Sequence, residues 1–324
     1  MRAFVYCDYG SPDVLRLQQI EKPVPNENQV LIKVHAASVN PLEWHFLRGI
    51  PYVMRLETGL RKPKSPRLGT DVAGEVAAVG KKVTAFKPGD QVFGACDGAF
   101  AEYCLGKAKL AMKPASITYE QAAGVPIAGI TALQGLRGQG HLQAGKKVLI
   151  NGASGGVGTF AVQLAKHFGA EVTGVCSGRN AEMVRGLGAD RVIDYKNEDL
   201  TNGAERYDLI LDCVGTQPLS GFRRALKPKG ICVLIGGGGP EDGHWLGPLT
   251  RPLQAMFIAP FVSQKMSMFM ADINQDDLQL LAELMASGKV KTVIDRTYPF
   301  SQAPDALRYV EKGHARGKIV INVQ

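Results

Sequence analysis

The segment Lys147–Gly158, KVLINGASGGVG, constrains this chain more than any other stretch. A continuous apolar run, Lys147–Asn151, leads straight into glycines, and the glycines lead into Val157–His167, where apolar residues recur at helical spacing. Strand, tight turn and helix in that order predict the first unit of a parallel sheet. The core spacing Ala153-x-Gly155-x-x-Gly158 is a variant of the dinucleotide-binding pattern. Gly155 lets the backbone approach a pyrophosphate, and Gly158 lets the helix lie close on the strand. The helix N-terminus offers free N–H groups and a partial positive charge to the phosphates. Ala153, Ser154, Gly155, Gly156, Val157 and Gly158 are therefore candidate cofactor contacts.

The alternation continues after that unit. Glu171–Cys176 reads as a strand, Asn180–Leu187 as a helix, and Arg191–Asp194, Asp208–Val214 and Ile231–Gly236 as further strands. Strands and helices in alternation imply a doubly wound parallel sheet covered on both faces. The chain before residue 120 has a different pattern. Ala3–Tyr6, Val30–His35, Val72–Val79, Gln91–Phe93 and Ala99–Leu105 are short strands between Gly and Pro turns, as in a compact β-barrel. At 324 residues, two lobes are expected. Near the end, Asp276–Ser287 and Ala303–Lys312 read as helices, the second with Ser301 as N-cap. The last strand, Lys318–Val323, fits either the parallel sheet or a return to the first lobe.

The second βα turn speaks to which cofactor binds. NAD-binding folds place an acid there to accept from the ribose 2′-OH. Here the turn is Cys176-Ser177-Gly178-Arg179-Asn180, with no acid before Glu182. Ser177 brings a hydroxyl, Arg179 a cation for a 2′-phosphate, Asn180 an amide, and Tyr195 a second hydroxyl after the next strand. These residues predict NADPH rather than NADH. Each also has a plainer use, as turn residue, surface charge or wet aromatic.

The formal charge of +8 suits a solvated basic surface first, and an anionic cofactor or an acidic membrane face as the functional alternative. Its only local concentration is Arg61, Lys62, Lys64 and Arg67, and no nucleic-acid-binding motif is present. The six cysteines form no CxxC pair and several lie in apolar runs, as buried free thiols of a reducing compartment do. The N-terminus begins directly with strand-like residues and shows no signal-peptide pattern. The apolar stretch Pro252–Met270 is interrupted by Gln254, Gln264 and Lys265, so it is a poor membrane span. It is expected to be helical core, a dimer interface or a Met-rich wall for lipophilic substrates. A cytoplasmic protein is expected, with peripheral membrane contact left open.

Taken together, MRAFVYCDYGSPDVL, SVNPLEW, LGTDVAGEVAAVG, KPGDQVFG, AFAEY, GVPIAGITAL, NGASGGVGTFAVQLAK, GADRVIDY and GKIVI resemble the medium-chain dehydrogenase/reductase superfamily, in its zinc-independent quinone oxidoreductase branch. The resemblance covers nearly the whole chain. It implies a GroES-like catalytic domain of residues 1–122 and 294–324, with a Rossmann domain of residues 123–293 inserted. It also implies a cleft for nicotinamide and substrate, and a homodimer formed at the edge strands of the Rossmann sheets.

Zinc-dependent relatives hold their metal with a Cys in the segment matching SVNPLEW and a His in a GHE motif. Those positions are Asn40 and Thr70 here, poor ligands for zinc, and no metal site is expected. Without a Lewis acid, hydride must go to an activated acceptor, a quinone or an α,β-unsaturated carbonyl. The resemblance places Asn40 against substrate or nicotinamide ribose, His45 and Tyr52 among the catalytic aromatics, and Thr131 near the nicotinamide. It places the backbone of Gly236 and Gly237 near the nicotinamide, and Arg316 and Lys318 on the cofactor. His45 departs from the tyrosine common at its position, so it carries over no proton-donor role. Two competing readings remain: a zinc-type alcohol dehydrogenase relative, and a non-catalytic NADPH-binding sensor or structural protein.

Overall fold

A computed structural model describes residues 1–201, 203–235, 245, 254 and 263–324. Its strands in chain order are β1 (Arg2–Val5), β2 (Arg16–Gln19), β3 (Val30–Val39), β4 (Asp71–Val79), β5 (Gln91–Asp97), β6 (Tyr103–Met112) and β7 (Lys147–Asn151). They continue with β8 (Glu171–Cys176), β9 (Arg191–Asp194), β10 (Tyr207–Asp212), β11 (Leu226–Leu234), β12 (Lys265–Met268), β13 (Ile294–Pro299) and β14 (Lys318–Asn322). The chain divides into two compact units, Met1–Ile130 with Asp272–Gln324, and Thr131–Ala271.

The first unit is the GroES-like β domain. Its sheet runs β13-β14-β3-β4-β5-β6, and β3 also pairs antiparallel with β6, from Val30↔Gly106 to Lys33↔Tyr103. That second pairing closes β3 to β6 into a barrel, with β14 and β13 extending from β3 and β13 left as an edge strand among the described residues. Two register shifts in β3, at Leu31/Ile32 and Val34/Ala36, accompany its three pairings. Val30, Ile32, Val34, Val72, Val76, Phe100, Leu110, Ile319 and Ile321 fill the core. β14 lies antiparallel on β3, so the final strand returns to the first domain. That placement buries the continuous run Ile319–Ile321.

The second unit is a Rossmann sheet, all parallel, in the order β12-β11-β10-β7-β8-β9. Lys147–Asn151, Glu171–Cys176 and Arg191–Asp194 form as the sequence predicts, and the helix after the glycines runs Gly156–His167. Within the Met-rich stretch, Lys265–Met268 is a strand parallel to β11, so these residues are not helical. Most of Pro252–Met270 lies outside the described residues. The last helix is Ala303–Glu311 with Gln302, not Ser301, at its N-cap, because Phe300–Gln302 first forms a turn of 3₁₀ helix. No described helix is long and apolar enough to cross a membrane.

Candidate active site

In the β domain the chain leaves β3 through Ser38, Val39 and Asn40 and turns into a helix, Pro41–Arg48. Asn40 is its N-cap, and Pro41 supplies the fixed φ suited to the first turn. Glu43, three residues on, reaches back so that its Oε2 accepts from the Asn40 backbone N–H at 2.7 Å. Its Oε1 accepts from the Thr70 backbone N–H at 3.2 Å. Asp71, the first residue of β4, sits beside this helix start. Its Oδ2 accepts from Ser38 Oγ at 2.8 Å and Asn40 Nδ2 at 3.0 Å, and its Oδ1 from the Ile127 backbone N–H at 3.0 Å. From β14, Lys318 donates its ammonium to Asn40 Oδ1 and lies 3.5 Å from Asp71 Oδ2.

The cluster is dry. Ser38, Asn40, Glu43, Asp71 and Lys318 are all at most 3 % exposed. Two carboxyl groups thus share one buried ammonium. Burial first, and the Asp71 charge second, push the Glu43 carboxyl up to about 7. Asn40 gives Asp71 one of its two amide N–H bonds, while Lys318 polarises the amide from its oxygen end.

His45 follows one turn into the same helix. Its Nδ1 lies 2.8 Å from the Ile50 carbonyl oxygen, which only accepts, so Nδ1 carries the proton and Nε2 the lone pair of the neutral ring. Burial lowers its pKa, and the ring stacks on Trp44 at 3.6 Å. Tyr52 follows the cis Ile50–Pro51 bond, and the Arg55 guanidinium lies over its ring and over Tyr9, at 4.6 Å and 4.4 Å. Of the two C-terminal candidates only Lys318 turns inward. Arg316 is exposed, and its backbone N–H donates to Asp295.

In the Rossmann unit, Gly152 adopts φ +82° as the chain leaves β7, and Gly155 caps the following helix. A Cβ on Gly158 would lie 2.1 Å from the Gly152 carbonyl oxygen, so the turn closes only with glycine there. A Cβ on Gly155 would meet nothing nearer than 3.4 Å. Protein packing therefore does not demand that glycine, and the backbone there is left open to close approach. This is the geometry a dinucleotide pyrophosphate requires. At the end of β8, Asn180 Nδ2 donates to Ser154 Oγ at 3.0 Å and Ser177 Oγ at 3.3 Å, linking the two βα turns. Asn180 is 4 % exposed, and its Oδ1 has no partner among the described residues. Arg179 is exposed, and Tyr195, 51 % exposed, follows β9. Thr131 is buried in the helix Pro126–Leu133. Gly236 and Gly237 lie outside the described residues.

The structure therefore brings together Asn40 with Lys318, and Ser154 with Ser177 and Asn180. Sequence reasoning missed Glu43 and Asp71. The Asn40-x-x-Glu43 spacing is a capping-box pattern and would have found the first; Asp71 meets its partners only through folding. It also missed Asp194, whose Oδ2 lies 2.7 Å from where a Gly178 Cβ would be. That carboxylate is already held by the Lys196 backbone N–H at 3.1 Å and Asn197 Nδ2 at 2.8 Å. Among the described residues no group of three or more His, Cys, Asp or Glu side chains is placed to hold a metal ion.

A β barrel bearing a buried polar cluster and a Rossmann sheet bearing an anion-ready glycine turn define a class of dinucleotide-dependent dehydrogenase. The alcohol dehydrogenase GroES-like domain model matches residues 26–117, and the zinc-binding dehydrogenase model matches residues 187–321. The chain is 35 % identical to the chloroplast envelope quinone oxidoreductase homolog of Arabidopsis thaliana, covering 99 % of this chain and 98 % of that protein. It is 36 % identical to an NADPH-dependent alkenal/one oxidoreductase, chloroplastic, of the same plant, covering 99 % of this chain and 79 % of that protein. The Escherichia coli quinone oxidoreductase, solved in complex with NADPH, superposes with a TM-score of 0.84 at 26 % identity, covering all of both chains. The chain belongs to the medium-chain dehydrogenase/reductase superfamily, in its quinone oxidoreductase branch.

Proposed function

We propose that this protein is a zinc-independent, NADPH-dependent oxidoreductase that reduces quinones or α,β-unsaturated carbonyls by hydride transfer. The carrying observation is the pairing of two features. A glycine turn whose Gly155 is not required by packing is followed, at the next βα turn, by Ser177 and Arg179 instead of an acid. An amide and a hydroxyl, at Asn40 and Thr70, stand where zinc-dependent relatives carry ligands. The named activities of the two plant relatives support the same substrate classes.

NADPH, when bound, supplies the hydride. Ala153, Ser154, Gly155, Gly156, Val157 and Gly158 hold its pyrophosphate by backbone and helix N-terminus. Ser177, Arg179 and Tyr195 meet the 2′-phosphate, Asn180 supports that end through its bonds to Ser154 and Ser177, and Thr131 and Arg316 are further cofactor contacts. As charge builds on the acceptor oxygen, Asn40 donates its second amide N–H to it, a donor strengthened by Lys318 on the amide oxygen. Tyr52, stacked under Arg55, walls the substrate. His45 is neutral with its lone pair on Nε2, so it accepts a hydrogen bond, and the completing proton comes from water. In this division the catalytic domain is 1–122 with 294–324 and the cofactor domain 123–293, although residues 123–130 and 272–293 pack with the first unit.

The partners that fit are a small lipophilic quinone or enone and a second copy of the chain joined at β12, an edge strand among the described residues. Peripheral contact with an acidic membrane suits the exposed Arg61, Lys62 and Lys64 beside Leu56 and Leu60, 67 % and 68 % exposed. Six free cysteines suit the reducing cytoplasm.

NADPH oxidation with an enone and its saturated ketone, before and after exhaustive chelation, tests the proposal. The enone is expected to be reduced at its C=C bond, the ketone left unchanged, and the rate unmoved by chelation. Comparable turnover of the ketone, or loss of activity with removal of zinc, supports the alcohol dehydrogenase reading instead. Failure of every conjugated acceptor supports the sensor.

A further inference from the structure

We infer that Asn180 is a positioning residue for cofactor choice, holding the Ser154 and Ser177 hydroxyls as an outward pair of hydrogen-bond donors for a ribose 2′-phosphate. The inference rests on the NADPH reading and deepens it. One buried amide nitrogen gives both of its N–H bonds to two serine oxygens, one from each βα turn, at 3.0 Å and 3.3 Å. An amide nitrogen only donates, so each serine oxygen must accept. A hydroxyl that accepts in this way keeps its own proton for another group. Among the described residues neither serine donates elsewhere in the protein.

Two features fix this polarity. The Ser177–Asn180 turn is closed by the Asn180 backbone N–H on the Ser177 carbonyl at 2.8 Å, so the amide has little freedom. Rotating the amide by half a turn would leave two buried N–H donors unpaired, where the observed orientation leaves one acceptor, Oδ1. A phosphate monoester presents only acceptors when fully ionised and matches two O–H donors beside Arg179. A ribose 2′-OH is best met by a carboxylate acceptor, and Asp194, the nearby acid, is already engaged by Lys196 and Asn197. Part of the selectivity thus resides in a neutral residue that touches neither the phosphate nor the reacting atoms.

A double-mutant cycle read as dissociation constants tests this, using NADPH, NADH, adenosine 2′,5′-bisphosphate and 5′-AMP titrated by fluorescence or calorimetry. Asn180→Ala is expected to weaken NADPH and the bisphosphate about tenfold, and NADH and 5′-AMP by less than about threefold. Asn180→Asp, which turns the donor to the serines into an acceptor, is expected to cost NADPH about a hundredfold. In a Ser154→Ala/Ser177→Ala background, Asn180→Ala should have almost no further effect on NADPH. An undiminished effect in that background means direct contact with the cofactor and overturns the inference alone. Equal loss of NADPH and NADH in Asn180→Ala means a merely structural role and also overturns it. Equal wild-type affinities for the two dinucleotides overturn the NADPH reading itself, and the inference with it.

Discussion

The two polar clusters of this molecule use hydrogen bonds for opposite ends. In the β domain, the charged Asp71 and Lys318 and the polar Ser38, Asn40 and Glu43 are buried, and their hydrogen bonds run to one another and to nearby backbone N–H groups. In the Rossmann unit, Ser154, Ser177 and Asn180 are neutral and, among the described residues, keep two hydroxyl protons and one amide oxygen uncommitted. The first arrangement sets a helix start and one amide rigidly. The second leaves capacity for a ligand. A cluster closed on itself should therefore reveal its importance in stability, and an open one in affinity.

The largest expected effect breaks the closed cluster. Lys318→Met leaves two carboxyl groups buried without their cation, and removing one partner of a buried pair costs about 3–5 kcal/mol. Urea unfolding of wild type and variant checks this; a loss under about 1 kcal/mol, the scale of a surface pair, would mean that the cluster is hydrated.

Next in size is the pH dependence of folding. The Glu43 carboxyl rises from its ordinary 4.5 to about 7 in the folded protein, chiefly through burial. Between those values the native state binds more protons than the unfolded chain, so stability falls as pH rises and levels off above about 7. At about 1.4 kcal/mol per pH unit the full contribution is about 3.5 kcal/mol. Unfolding free energies measured from pH 5 to pH 8 should show this decline in wild type and lack it in Glu43→Gln.

The open cluster calls for affinity measurements. Arg179→Ala is expected to weaken NADPH about tenfold, near 1.4 kcal/mol, and to leave NADH nearly unchanged. Titration of both cofactors decides it, and a parallel loss of NADH would refute the assignment. The smallest stability effect belongs to Gly155→Ala. Its Cβ has room within the protein, so the unfolding free energy should stay within about 0.5 kcal/mol of wild type. NADPH binding should weaken all the same, because the methyl occupies that open approach. A destabilised but binding-competent variant would show that the space serves packing.

Much of this could be read from local pattern. KVLIN, EVTGVC and RVID form strands within the bounds expected of them, because a buried parallel strand needs a continuous apolar run and neighbouring turns to stop it. Ser177 and Asn180 were candidates for the same reason: they occupy a turn whose position follows from the strand before it. The short strand β12 was not legible. KMSM has little β-branched content, and parallel pairing with β11 is what makes it a strand.

By itself the sequence determined the glycine turn, the alternation that builds the Rossmann sheet, the absence of zinc-ligand types at positions 40 and 70, and the Ser-Arg turn that favours NADPH. The glycine turn, the alternation and the Ser-Arg turn depend on residues within a few positions of one another, where covalent geometry and strand or helix period dictate the outcome; the residue types at 40 and 70 take their meaning from the family resemblance. Only the tertiary structure decided where β14 pairs, that Lys318 turns inward while Arg316 stays exposed, and that Asp71 gathers Ser38, Asn40 and Lys318. Lys318 lies 278 residues from Asn40. Burial with a specific partner at such a separation is a property of barrel closure, and no local pattern encodes it.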